Sequence, residues 1–414
     1  MAMPRESSLR IIVTGLIATH RFQGGVTWDY LNVVLGLKRL GHDVYYLEDT
    51  GGWPYHLDGA IAYDPKPTVD HLAGVMAAFG LAANWAYHFP TRPQWFGLSD
   101  RKREEVVRSA DMLINVSGTL ERPDRYRQAK KLVYVDTDPV FTQIKAAGSD
   151  PEFRARVNAH DVHFSFGETL GEELPDTGHL WHPTRQPVVL DEWRSTAAPR
   201  NAFTTVMNWS SYDVIRYRGR TYGQKDIEFV KFLDLPQRVS PIPLELALHK
   251  AVSWPSQEAD PGRCGSAPRE ILRERGWRIV DPIEVCADFA SYRRYIQASK
   301  GEWSVAKNAY VAGRSGWFSC RSACYLAAGR PVVVQDTGFS RALPVGEGIV
   351  SFSSLEEAEA GIREVEGNYE RHAKAAREIA EAYFDSGKVL ARLLAIAMNL
   401  KAAPSIPLDE HGSP

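Results

Sequence analysis

The sequence predicts an α/β protein of two doubly wound, Rossmann-like domains facing each other across a cleft. Three observations carry this. Short β-branched runs alternate with longer helical patterns, as βαβ units and parallel sheets require. One such series ends near Trp193, and a second begins near Phe203. The 414 residues also exceed the roughly 250–300 at which a single core stops growing.

"LRIIVTGL" (Leu9 to Leu16) reads as a buried strand. The next element, "VTWDYLNVVLGLKRLGH", places Trp28, Leu31, Leu35 and Leu40 near helical spacing and stops at Gly41. "DVYYLED", "DMLINVSG", "KLVYVDTD" and "VHFSFGE" are further strands of the same domain, residues 1–193. The Pro-rich, weakly periodic "HPTRQPVVLDEWRSTAAPRN" is the linker. In the second domain, residues 194–385, "FTTVMNW", "GWRIVDP", "YIQAS", "VVV" and "GIVSFSS" read as strands, and "KDIEFVKFLDL" as a helix. Residues 386–414 form a last helix and a loose tail, and "MAMPRESS" at the start is equally loose.

Apolar residues at 44% and charged ones at 24% are those of an ordinary globular chain. A net charge of -2 makes no electrostatic case for nucleic acid or an anionic membrane, so no nucleic-acid surface is expected and partners should be small or neutral. No stretch approaches the ~18 unbroken apolar residues of a spanning helix, and a cytoplasmic protein is expected. Four cysteines (Cys264, Cys286, Cys320, Cys324) make no disulfide framework, and Cys320 with Cys324 reads as a reduced, buried pair.

The loop after the first strand lacks G-x-G-x-x-G, which removes the dinucleotide fingerprint. Glu48 and Asp49 then read as helix-capping or solvated carboxylates. The loop does carry Gly24-Gly25 opening onto a helix, where free N–H groups can meet an anion or a sugar oxygen. His20 just before it is either a general base at the cleft rim or an exposed loop histidine.

Arg220 and Lys225 lie five apart before a helix, suited to phosphate as a fork and a point charge. Further on, "GRSGWFSCRSACYLAAGRPVVVQDTGF" places Ser315-Gly316 ahead of Ser319 as an N-cap. Arg321 falls in the first helical turn, where the macrodipole disfavours a cation. It either meets a diphosphate lying across that terminus or turns outward to a carboxylate elsewhere. On the first reading, removing it leaves the stability of the empty protein unchanged or slightly raised.

At this point the chain resembles the GT-B glycosyltransferases. "GRTYGQK" resembles their Gly-Arg…Lys phosphate loop. "GWFSCRSACYLAAGRPVVVQDTGF" is similar to their Gly-Phe-Gly loop, small-residue helix and donor-sugar loop, and "GGVTWDYLNVVLGLKRLGHDVYYLE" to their N-terminal opening. The resemblance implies that Arg220 and Lys225 bind the diphosphate of a nucleotide-sugar donor, helped by the helix start at Ser319 to Arg321. It implies that Asp336, Thr337 and Gly338 touch the sugar hydroxyls. Many retaining members carry two glutamates eight apart around this helix; here Ser315 stands at the first place and Ala323 or Cys324 at the second.

Asp136-Thr137-Asp138 resembles a metal-binding D-x-D but reads as loop or N-cap carboxylates ahead of Pro139, so no metal or cofactor is expected beyond the donor itself. The aromatics Trp53, Tyr55, Trp85, Tyr87, Phe89, Trp95 and Phe96 read mostly as core, with acceptor stacking as the alternative. The expected activity is metal-independent transfer of a sugar to a hydroxyl-bearing acceptor. The alternatives are an epimerase of the same shape and a non-catalytic nucleotide-sugar or glycan binder.

Overall fold

The structure, a computed structural model, describes residues 8–56, 60–171, 173–195, 197–211, 213–249 and 268–399. Cys264 and both end segments lie outside the described residues.

The first sheet has eight strands: β1 (Arg10–Thr14), β2 (Asp43–Glu48), β3 (Trp85–Phe89), β4 (Gln94–Gly97), β5 (Met112–Val116), β6 (Leu132–Asp136), β7 (Val162–Ser165) and β8 (Trp181–Pro183). Their order is β4-β3-β2-β1-β5-β6-β7-β8, and only the β3–β4 pair is antiparallel. β5 is buried along its whole length, as expected for a strand covered on both faces.

In the second domain, β9 (Phe203–Asn208) is followed by a hairpin of β10 (Ile215–Tyr217) and β11 (Arg220–Tyr222). β12 (Leu244–His249), β13 (Arg278–Val280), β14 (Gly301–Ser304), β15 (Val332–Gln335) and β16 (Ile349–Phe352) join β9 in a parallel sheet ordered β13-β12-β9-β14-β15-β16.

The aromatic run from Trp85 supplies β3 and β4, and Trp85, Tyr87 and Phe89 are buried there. "YIQAS" is not a strand. It ends the helix Phe289–Ala298, which Asp288 caps by accepting from the backbone N–H groups of Ala290 and Ser291. Tyr292, Tyr295 and Ile296 bury one face of that helix at three- and four-residue spacing, and the strand is the next segment, β14.

The two domains share one apolar seam. Trp28 of the first helix (Gly24–Arg39) meets Trp193 at 4.9 Å between ring centroids and donates its indole N–H to the Phe289 carbonyl. After a π-helical turn at Ala380–Phe384 the chain crosses back, and the helix Ser386–Ala397 packs on the first helix. Gly36 permits that crossing, because a Cβ there would stand 2.5 Å from Leu390.

Candidate active site

The strands of both sheets point their carboxyl ends at a common cleft, where ligands of open α/β sheets bind. A cavity of about 380 Å³ lies there, within the usual range for a small-molecule site. Its N-terminal wall is Phe22 to Val26, Asp29, Thr137 and Asp138; its C-terminal wall includes Asn208, Lys225, Lys307, Tyr310, Trp317 and Ser319 to Arg321.

The loop after β1 is fixed from below by Glu48. This fully buried carboxylate accepts from the N–H groups of Ala18 and Thr19 at 2.8 Å each and from the hydroxyls of Thr19 and Tyr46. Burial pushes its pKa up against these hydrogen bonds. Asp49 is buried too, with Tyr126 Oη at 2.7 Å and His88 Nδ1 at 2.8 Å. Neither residue is the capping or solvated carboxylate expected. At the end of a buried parallel strand each instead gathers donors from adjoining segments, which offsets the cost of its burial.

Gly24 and Gly25 line the cavity, and packing accounts for both. A Cβ on Gly24 would stand 2.1 Å from the Asp288 carbonyl oxygen and one on Gly25 3.0 Å from the Tyr292 ring, so the helix start meets the second domain only without side chains. His20 lies in the preceding turn with Nδ1 3.2 Å from Gln23 Nε2, and burial lowers its pKa. Phe22 and Gln23, rather than His20, reach the cavity from this loop.

Asp136 accepts from Thr142, Gln143 and Ser165 side chains and from the Asp138 N–H. Asp138 pairs with Lys307 at 2.9 Å and accepts from the Tyr310 hydroxyl, both in the second domain. Trp317 lies over Tyr310 at 4.3 Å and donates to the Thr137 carbonyl. The D-x-D carboxylates are thus held by the fold and by a bridge between domains. Among the described residues no group of three or more His, Cys, Asp or Glu is placed to hold a metal ion.

Lys225 starts a short helix and lines the cavity. Among the described residues its side chain makes no ion pair or hydrogen bond. Burial, then the neighbouring Arg321 charge, holds its pKa well below the usual lysine value. Arg220 is elsewhere, exposed on the hairpin and paired with Glu173.

Ser319 is the N-cap of the helix Cys320–Ala327, and its hydroxyl makes no capping bond. Arg321 turns inward rather than outward. Its Nε meets the fully buried Glu302 at 2.5 Å, and its other nitrogens donate to the Val206 carbonyl (2.7 Å) and Ser304 Oγ (2.8 Å). Burial opposes that charge, and Glu302 more than restores it, so the guanidinium pKa sits above its ordinary value.

Ser315 is buried and its carbonyl accepts from the Thr169 N–H; Gly316 (φ +72°) presses on the same threonine. Asp336 caps the turn behind it, accepting from the Gly338 N–H and the Ser340 hydroxyl, and Thr337 donates to the Trp317 carbonyl. Ser315, Gly316, Asp336, Thr337 and Gly338 are not among the residues that line the cavity.

Sequence reasoning passed over Asp29. It lies on the first helix one turn past Gly25, is open to the cavity and faces the second domain, where the Cys320 thiol hydrogen-bonds to it. Asp29 is itself exposed in the open cavity, but the protein crowded around it on both walls pushes its pKa up to about 7, against that thiol and the Arg321 charge. It is the exposed position in a stretch, Thr27 to Leu37, that is otherwise buried, and an acidic residue within so apolar a run was the available signal.

Solved structures share this architecture over nearly the whole chain. An alpha-glucosyltransferase in complex with UDP and a 13-mer DNA superposes with a TM-score of 0.55 at 12% identity, covering 94% of this chain and 100% of that one. The fold is that of the GT-B glycosyltransferases. Sucrose-phosphate synthase from Thermosynechococcus elongatus matches at 0.51 and 11% identity, over 94% and 99% of the chains. HepE of Anabaena in complex with UDP and glucose matches at 0.52 and 11%, over 95% and 100%. No family model and no curated protein matches the sequence.

The DNA complex overturns one expectation. The net charge predicts no nucleic-acid surface, yet a neighbour of the same GT-B fold holds DNA. Phosphate contact depends on local clusters of cations, which a chain-wide sum of charges averages away. No helix among the described residues is long and apolar enough to cross a membrane.

Proposed function

We propose that this GT-B chain transfers a sugar from a nucleotide-diphosphate sugar to a hydroxyl-bearing acceptor in the inter-domain cleft. The observation that carries the reading is Lys225, a cavity-lining lysine with no carboxylate partner among the described residues. A half-buried amine with no carboxylate beside it suits an anion, and the free N–H groups of the helix start at Ser319 offer that anion further donors on the same wall. Solved neighbours of this fold hold UDP, which supports a nucleotide diphosphate as that anion. Side-chain and helix-terminal charge then stabilises the departing diphosphate without a metal ion. Arg321 contributes through the field of its pair with Glu302, and Arg220 only after a movement of the hairpin.

The test is calorimetric titration of UDP, GDP and dTDP into wild type and Lys225→Met, with nucleotide release from the corresponding sugar nucleotides followed with and without acceptor. Transfer predicts binding that falls about ten- to a hundredfold in the variant, the loss of a charge-assisted contact of about 1.5–3 kcal/mol. It also predicts release that acceptor accelerates. Conversion of the donor alone would indicate an epimerase, and binding without turnover a binder.

A further inference from the structure

The cavity carries four charged side chains besides Asp29, and three of them are neutralised within the protein. Arg321 is matched by Glu302, and Lys307 and Asp138 match each other. That leaves, among the described residues, Lys225 on the C-terminal wall and Asp29 on the N-terminal wall without an ion-pair partner. One unmatched cation and one unmatched carboxylate thus face a common space from opposite sides. A substrate pair matches this arrangement if it develops negative charge at one end and loses a proton at the other.

We propose, resting on the transfer reading above, that Asp29 is the proton acceptor for the acceptor hydroxyl, and that transfer is a single displacement inverting the anomeric centre. The hydroxyl proton passes to an Asp29 carboxylate oxygen while the acceptor oxygen bonds to the anomeric carbon. The bond from that carbon to the diphosphate oxygen breaks, and its electron pair leaves with the nucleotide toward Lys225. Nothing is oxidised or reduced. Because the base stands on the wall opposite the leaving group, attack comes from the face away from the diphosphate.

Of the charged and titratable groups facing Asp29, Lys225 on the opposite wall is also shifted, downward by burial, so the limb is assigned to Asp29 by its loss in the Asp29 variant. Tyr30 on its own helix, Tyr292 on the helix Phe289–Ala298, and Cys320 and Cys324 on the helix Cys320–Ala327 are all raised by burial and stay protonated. Arg321 stays charged. A base must be ionised to accept a proton, so kcat/KM should rise with pH through a limb at about 7.

Water serves as a universal acceptor for the test. Among UDP-glucose, UDP-N-acetylglucosamine and GDP-mannose, the compound that most raises Tm is hydrolysed by the full chain. The first-formed anomer of the free sugar is read by proton NMR before mutarotation, and the same assay is run on Asp29→Asn, a change that preserves shape. The expected result is an inverted anomer in wild type and a rate about 10²- to 10⁴-fold lower in the variant. The variant should also lose the limb near pH 7 while it binds UDP no more weakly than wild type and its Tm matches wild type in acid and falls no lower than wild type at neutral pH. A retained anomer, or a variant within threefold of wild type, overturns the role of Asp29 and leaves sugar transfer standing. Absence of both stabilisation and hydrolysis with all three donors overturns the transfer reading and this proposal together.

Discussion

Replacing Arg321 by alanine should strongly destabilise the empty protein. The side chain is 13% exposed and its partner Glu302 is fully buried on β14, in the middle of the second sheet. Alanine removes the cation and leaves the carboxylate, one of whose oxygens already lacks a hydrogen-bond partner in the described structure. Breaking a buried pair by deleting one member costs about 3–5 kcal/mol, because an uncompensated charge stays behind. For a domain of this size that is a fall of roughly 6–20 °C in Tm. Replacing both members, Arg321→Met with Glu302→Leu, should recover most of the loss, since apolar residues of similar volume often do as well as a buried pair. Thermal and urea denaturation of wild type, the two single variants and the double variant complete the cycle. An Arg321→Ala protein within about 0.5 kcal/mol of wild type would refute the reasoning, since that is the scale of an ordinary surface change.

Lys225→Met should raise the stability of the empty protein at neutral pH even as it weakens nucleotide binding about ten- to a hundredfold. The native state holds this lysine's pKa below its unfolded value, so its protonated form is penalised on folding, a cost the variant lacks; a melting temperature that drops instead would show the ammonium to be structurally required. Asp29 is the opposite case. Its native pKa of about 7 lies above the unfolded value, so its contribution to stability is present in acid and disappears as pH rises from about 4 to about 7, and Asp29→Asn should lessen that slope in melting curves. Turnover should persist in EDTA, because Asp136 and Asp138 are engaged by protein donors; activity lost to EDTA and restored by Mn²⁺ or Mg²⁺ would reassign them. Gly316→Ala should lower stability by about 1–3 kcal/mol, as its φ of +72° disfavours a side chain and its Cβ would meet Thr169 Oγ1 at 2.6 Å.

The paired α/β domains were legible because strands buried on both faces write themselves as continuous apolar runs, and β1, β5, β6 and β15 are of that kind. β12, "LELALH", carries a glutamate that breaks the run; Glu245 is tied to Tyr295 and Arg200, partners at distant positions. "YIQAS" failed for the opposite reason, since a short apolar run does not distinguish helix from strand. At the site, Lys225 and Ser319 were readable from spacing and capping chemistry, whereas the inward turn of Arg321 depends on a glutamate nineteen residues upstream. Glycine-rich loops were read for the N–H groups they could lend to a ligand. Gly24 and Gly25 are equally required by the second domain's approach, a constraint visible only in three dimensions.

The crossing of the helix Ser386–Ala397 onto the first helix has a consequence for biosynthesis. Lys131 reaches its end by donating to the Ala397 carbonyl, and Val188 donates to Phe384, so the first-made domain is finished by the last-made segment of the described chain. Independent folding of domains as they leave the ribosome is the usual course. Here the surface at Gly36 meets Leu390 and Ser386 only after roughly two hundred further residues have been translated. Completion of the first domain's packing is thereby tied to synthesis of the second.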